Sequence, residues 1–160
     1  MLLFFSRLDY LNCLLSGCDK DLIRKLQVVQ NSAARLIFRV GMRVHITSLR
    51  QSLHWLPVET RVQFKLCVMC YNYFTDCCPS YLSSILQRYS VGRSGLRSES
   101  DSRLLRSFAL DVKTVTFGQR SFSYCAPNVW NSLPYDIRHK PSVQSFKEAL
   151  KTYLFTRHYP

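Results

Sequence analysis

One hundred and sixty residues, 47% of them hydrophobic with only 5 Gly and 6 Pro, suffice to bury one ordinary core and exclude a disordered chain. Lys and Arg number 22 against 10 Asp and Glu, a formal charge of +12, and Arg outnumbers Lys. A surplus of that size favours polyanionic partners, and a planar guanidinium grips a phosphate bidentately where an ammonium acts as a point charge.

The opening Met1-Leu2-Leu3-Phe4-Phe5 is apolar but has no cationic stretch before it, so it does not read as a secretory leader. No run approaches the roughly 18 apolar residues of a membrane span. The seven cysteines (Cys13, Cys18, Cys67, Cys70, Cys77, Cys78 and Cys125) are odd in number. Together these point to a reduced intracellular compartment, nuclear or cytoplasmic, with most thiols packed as small hydrophobes and no membrane partner.

Along the chain, Asp19 is a candidate N-cap for a helix from about Lys20 to Arg39. Leu22, Leu26, Val29, Ala33 and Leu36 alternate spacings of four and three there and predict a continuous buried stripe. Gln27, Asn31, Arg35 and Arg39 follow at steps of four on another face, with Arg24 and Lys25 at its start. No acid occurs between Leu22 and Val58, so that face is the strongest candidate for contact with nucleic acid. A second helix is expected from Thr47 to Trp55, broken at Leu56 because the residue before a proline avoids the helical region.

Val58 to about Thr75 carries the stripe Val58, Val62, Leu66, Met69 and Tyr73, with Phe64, Val68 and Tyr71 filling much of the remaining circumference. Such a helix belongs at the centre, with Arg61 and Lys65 as its wet pair. A turn at Cys78-Pro79-Ser80 leads to a short helix from Tyr81 to Leu86. Tyr89 to Ser107 is rich in Ser, Arg and Gly and reads as an exposed loop bearing Arg93, Arg97 and Arg103, with Arg88 just before it. Alternating β-branched positions predict one or two short strands within Phe108–Phe117, and Gln119 to Asn131 is helical with Pro127 in a first turn or at a break. Ser142 caps a last helix with Val143, Phe146, Leu150 and Leu154 inside and Lys147, Lys151 and Arg157 outside. The expected architecture is mainly α: a helical bundle over 1–88, a basic Ser/Arg-rich loop over 89–107, and an extension over 108–160 with a minor β element.

Catalytic chemistry is poorly served. Two-metal catalysis needs clustered carboxylates on rigid apolar elements, but Asp19 with Asp21 opens a helix and Glu99 with Asp101 lies in the loop. Gly92-Arg93-Ser94-Gly95 lacks a phosphate-loop spacing, and no nucleophile elbow surrounds any serine. Cys67, Cys70, Cys77 and Cys78 could supply four thiolates to zinc, yet the first pair sits inside an apolar helix and the second is contiguous with diverging side chains. Core packing accounts for them better, and neither a metal nor a cofactor is expected. Trp55 and Trp130, each beside a Leu-Pro step, read as anchors against the core; Tyr89 beside Arg88 is the better candidate for stacking on a base.

Ordered blocks then cover nearly the whole chain. They run from Leu8-Asp9-Tyr10 through Leu26-Gln27-Val28-Val29-Gln30-Asn31-Ser32-Ala33-Ala34-Arg35-Leu36 and His54-Trp55-Leu56-Pro57-Val58 to Arg61, Phe64-Lys65 and Pro79-Ser80-Tyr81-Leu82. They continue with Phe117-Gly118-Gln119-Arg120-Ser121-Phe122, Ala126-Pro127-Asn128-Val129-Trp130-Asn131-Ser132-Leu133-Pro134, Ile137-Arg138, Phe146-Lys147 and Tyr153-Leu154-Phe155. This series resembles the region after the polymerase domain in LINE-type (non-LTR) retrotransposon reverse transcriptases, of the jockey-like or chicken-repeat-like lineages. The resemblance implies a thumb-like helical bundle and a C-terminal extension that hold a template–primer duplex, with the polymerase and endonuclease centres elsewhere. No catalytic residue carries over.

The leading expectation is therefore a non-catalytic fragment that binds the backbone of RNA, DNA or a hybrid through Arg24, Lys25, Arg35, Arg39, Arg88, Arg93 and Arg97. No small-molecule substrate is expected. The alternatives are a protein-interaction module that docks on the parent polymerase or another partner, and a transposon relic without selected function.

Overall fold

The computed structural model describes residues 9–10, 12–89, 103–106 and 121–160. Among them the chain is mainly helical. A 3-10 turn, Asn12–Leu15, precedes seven α-helices: α1 Lys20–Phe38, α2 Ile46–Ser52, α3 Val58–Phe74, α4 Ser80–Ser83, α5 Phe122–Asn131, α6 Tyr135–Arg138 and α7 Val143–His158. No described helix is long and apolar enough to cross a membrane.

The central position expected for the Val58 helix is the one observed. α3 buries Val58, Val62, Leu66, Cys67, Cys70 and Tyr71 and packs against α5, α7, α1 and the 3-10 turn. Met69 and Tyr73 of the expected stripe are only half-buried, because the buried side is shifted round to Cys67, Cys70 and Tyr71. An aromatic cluster joins three helices: Tyr71 stacks on Phe146 at 4.3 Å, Phe74 on Trp130 at 5.4 Å, and Trp130 lies 5.7 Å from Phe146. The Tyr71 hydroxyl donates to the Lys140 carbonyl at 2.7 Å, and the Trp130 ring N–H to the Arg103 carbonyl at 2.6 Å, so both polar tips are satisfied inside the core.

Three helix ends share one device. Arg39, His54 and Asp76 adopt left-handed backbone at φ 52°, 53° and 55° after α1, α2 and α3. The following amides reach back across the last turn, Val40 N–H to the Arg35 carbonyl, Trp55 N–H to the Arg50 carbonyl and Cys77 N–H to the Asn72 carbonyl. This is the bonding of a Schellman stop, formed here without the glycine that usually makes it inexpensive. It explains why α2 ends at Ser52, short of the expected Trp55. At the other pole Asp19 caps α1 by accepting the Asp21 N–H at 3.2 Å, and Ser142 caps α7 by accepting the Ser145 N–H at 3.1 Å.

The face of α1 is the largest correction. The apolar stripe expected inside points outward, with Leu22, Val29 and Leu36 exposed at 43%, 51% and 79%. The buried residues of α1 are Gln30 and Ala34 instead. The inward demand lies 26 residues downstream: Pro57, the N-cap of α3, offers no side-chain cap, and the Leu56–Val58 backbone has polar groups to satisfy. Gln30 donates to the Leu56 carbonyl at 2.9 Å, Gln27 accepts the Val58 N–H at 3.0 Å, and the Gln27 amide donates to Gln30 and Asn31. With these partners in place both side-chain amides are satisfied, and the apolar stripe is left on the other side of α1. Gln30→Ala is accordingly expected to cost about 1–3 kcal/mol, because it strands the Leu56 carbonyl and loosens Gln27. Equilibrium urea denaturation measures it, and a loss below about 0.5 kcal/mol would remove the clamp from the account of the fold.

The later segments differ in detail. α4 is shorter than the Tyr81–Leu86 expectation. The stretch expected as exposed loop turns inward at its end. Arg88 and Leu105 form an antiparallel bridge, Leu105 is buried, and the Asn131 side chain satisfies both its N–H (3.0 Å) and its carbonyl (2.8 Å). Arg103 likewise is not a solvated loop cation: it donates to the Arg138 carbonyl at 2.7 Å and lies 5.5 Å over the Tyr71 ring. Pro127 is neither in the first turn of α5 nor at a break but inside the helix and buried, where the missing N–H leaves the Ser123 carbonyl without its helical donor. The strands expected within 108–117 and the middle of the basic loop lie outside the described residues.

Candidate nucleic-acid interface

The expected contact residues of α1 fall largely on one side of it. Arg24 and Arg35 share that side, three turns or about 16 Å apart along the axis, and Arg39 follows at the left-handed C-cap. Lys20 begins the same side, and Lys25 stands on the border of the outward apolar stripe. Arg24, Lys25 and Arg39 are exposed. Arg24 pairs with Asp21 at 2.7 Å, both side chains largely in solvent, an arrangement of little energetic weight that a phosphate could displace. Arg35 is half-buried, and its Nε has no hydrogen-bond partner. Gln27 and Asn31, expected on the same face, turn inward to the Gln30 network and leave it. Arg43, exposed just beyond α1, extends the positive surface past Arg39.

The expected loop cations divide. Arg88 is described and exposed, with its guanidinium over the rings of Tyr73 (5.9 Å) and Phe74 (5.4 Å). Arg93 and Arg97 lie outside the described residues. Arg24 and Arg35 thus lie on α1 and Arg39 at its end, while Arg88 stands apart, against the end of α3.

Arg61 and Lys65 are a half-correct pair. Lys65 is exposed, but Arg61 donates through its Nε to Asp9 Oδ1 at 2.8 Å and through a second nitrogen to Asp9 Oδ2. Both also line a cleft of about 470 Å³ bounded by the 3-10 turn, the Leu53–Leu56 linker and α3, to which α7 adds Lys151. No sequence pattern connects Lys151 with Arg61 and Lys65, since they meet only when α7 packs on α3. The nearest available signal was the four-residue step from Arg61 to Lys65, which puts both on one side of α3.

The cysteines are free thiols. Cys67 and Cys70 are fully buried, and burial pushes the Cys67 thiol up to about 12 and raises that of Cys70 as well. Cys77 is exposed, Cys78 half-buried, and among the described residues no group of three His, Cys, Asp or Glu is placed to hold a metal ion. Trp55 and Trp130 are buried, as the sequence reading of both as anchors expects, and Tyr89 is exposed. Asp19 and Asp21 are occupied as cap and as partner to Arg24, whereas Glu99 and Asp101 lie outside the described residues.

No protein-family model, no curated protein and no solved structure matches the chain.

Proposed function

We propose that the chain is a non-catalytic, nucleic-acid-binding segment of a LINE-type retrotransposon reverse transcriptase, lying after the polymerase domain and gripping the backbone of RNA, DNA or a hybrid. The observation that carries this reading is the exposed cationic side of α1, where Lys20 and Arg24, with Arg39 at the C-cap, flank a helix whose only acid is Asp21. Arg88, with the loop cations Arg93 and Arg97, would add contacts on a second side. Such a surface recognises phosphate and carries no base code, so affinity is mainly sequence-independent.

The test is the salt dependence of binding. For RNA, duplex DNA and hybrid, the logarithm of the association constant is expected to fall linearly with the logarithm of salt concentration, with a slope of several units. Each neutralised phosphate contributes about 0.7 to a single strand and 0.9 to a duplex. Arg24→Glu together with Arg39→Glu should lower the slope by about two. Titrations by fluorescence anisotropy across a salt series read both quantities, and a flat or absent response for all three ligands would overturn the reading.

A second reading, a module that docks on the parent polymerase or another protein, is favoured by one observation. The exposed Leu22, Val29 and Leu36 recur every seven residues, with half-buried Leu26 and Ala33 between them, as in the seam of a paired helix. On this reading, substitution of Leu22 and Leu36 by Gln abolishes docking and leaves the salt-dependent binding in place.

A further inference from the structure

The cleft between the 3-10 turn and α3 combines groups that the basic side of α1 lacks. Three cations reach it from two helices, Arg61 and Lys65 on α3 and Lys151 on α7. Its apolar wall is Leu53 and the half-buried Phe64. At its base Asn12 is only 4% exposed; its amide donates to Asp9 at 3.3 Å, but its Oδ1 accepts nothing. A buried acceptor left without a donor costs free energy, and this one lies beneath the surface of the cleft, out of a ligand's reach.

We propose that this cleft holds one nucleotide of a single-stranded segment, with the phosphate against Lys65 and Lys151 and the base along Phe64. The proposal rests on the nucleic-acid reading above and gives it a second, more enclosed contact point. A volume of about 470 Å³ suits one nucleotide and excludes a duplex. Arg61 is ion-paired with Asp9, which also lines the cleft, so the phosphate is assigned to Lys65 and Lys151. Aromatic stacking is tolerant of sequence, as a backbone-gripping protein requires.

The test uses the full chain and a short oligouridylate carrying one photoreactive 5-bromouridine. Cross-links are expected on Phe64 or His54. Lys65→Glu and Lys151→Glu should each weaken binding about tenfold and abolish those cross-links, while Lys65→Arg preserves both. Arg24→Glu with Arg39→Glu should weaken binding without moving the cross-links. All four positions are solvent-exposed, and circular dichroism confirms that each variant keeps its helices. If the oligonucleotide binds but cross-links elsewhere, and the two lysine reversals leave affinity within about twofold, the cleft is overturned while the basic side of α1 stands. If no oligonucleotide binds at any salt concentration, both fall together.

Discussion

Trp130→Ala is expected to cost about 3–5 kcal/mol, roughly a fifth or more of the stability of an ordinary domain. Trp130 is fully buried at the junction of α3, α5 and α7, stacked on Phe74 and tilted against Phe146, with its ring N–H held by the Arg103 carbonyl. Alanine would leave a cavity that three helices cannot close without moving, and it would also release the 103–106 segment that Asn131 and Trp130 pin to the core. Trp130→Phe separates the two effects. It retains most of the aromatic volume and removes the ring N–H, so it should cost about 1–3 kcal/mol, mainly for the stranded carbonyl. Urea unfolding followed by circular dichroism measures both, and an alanine variant within about 1 kcal/mol of the parent would mean that this cluster is not the core.

The second large effect is alkaline. Cys67 has its thiol pushed up to about 12 from an ordinary value of 9.0, and Cys70 is raised as well, in both cases chiefly by burial. In the unfolded chain both ionise near the ordinary value, while in the folded chain they keep their protons. Above pH 9 the unfolded state therefore binds fewer protons than the native state, and stability falls as pH rises. The contribution is fully present below pH 9, and each thiol removes up to about 1.4 kcal/mol per pH unit above it, Cys67 until about pH 12. A series of urea titrations from pH 8 upward should show a downward bend that Cys67→Ala reduces in slope. Equal slopes in parent and variant would show that the Cys67 thiol does not carry the effect. The same burial separates the thiols by reactivity: exposed Cys77 should react with a disulfide reagent in the native state, and Cys67 and Cys70 only after unfolding.

Features with a local cause were legible in the sequence. Pro57 announces the start of α3, Ser142 the cap of α7, and Phe146, Leu150 and Leu154 the buried side of α7, because each depends on neighbours within two turns. The orientation of α1 was not legible, because Gln30 and Gln27 are drawn inward by the needs of Leu56 and Val58, and no periodicity in α1 encodes that demand. The inward turn at Arg103 and Leu105 has the same character: its backbone partners, Trp130 and Asn131, stand on another helix. Of the candidate site, the cations of α1 could be read from spacing and the absence of nearby acids. The cleft could not, since Asn12, Lys65 and Lys151 meet only in the folded chain.

The two outer tethers of the structure attach close together. Asp9 is held by Arg61, and the hydroxyl of Tyr159 donates to the Trp55 carbonyl at 3.0 Å. Tension applied between residues 9 and 159 meets the short backbone from Trp55 to Arg61 through these two bonds, and α3 through the packing of α7. Pulled from these ends, the domain sets the ion pair, the hydrogen bond and the packing of α7 along α3 against the load together.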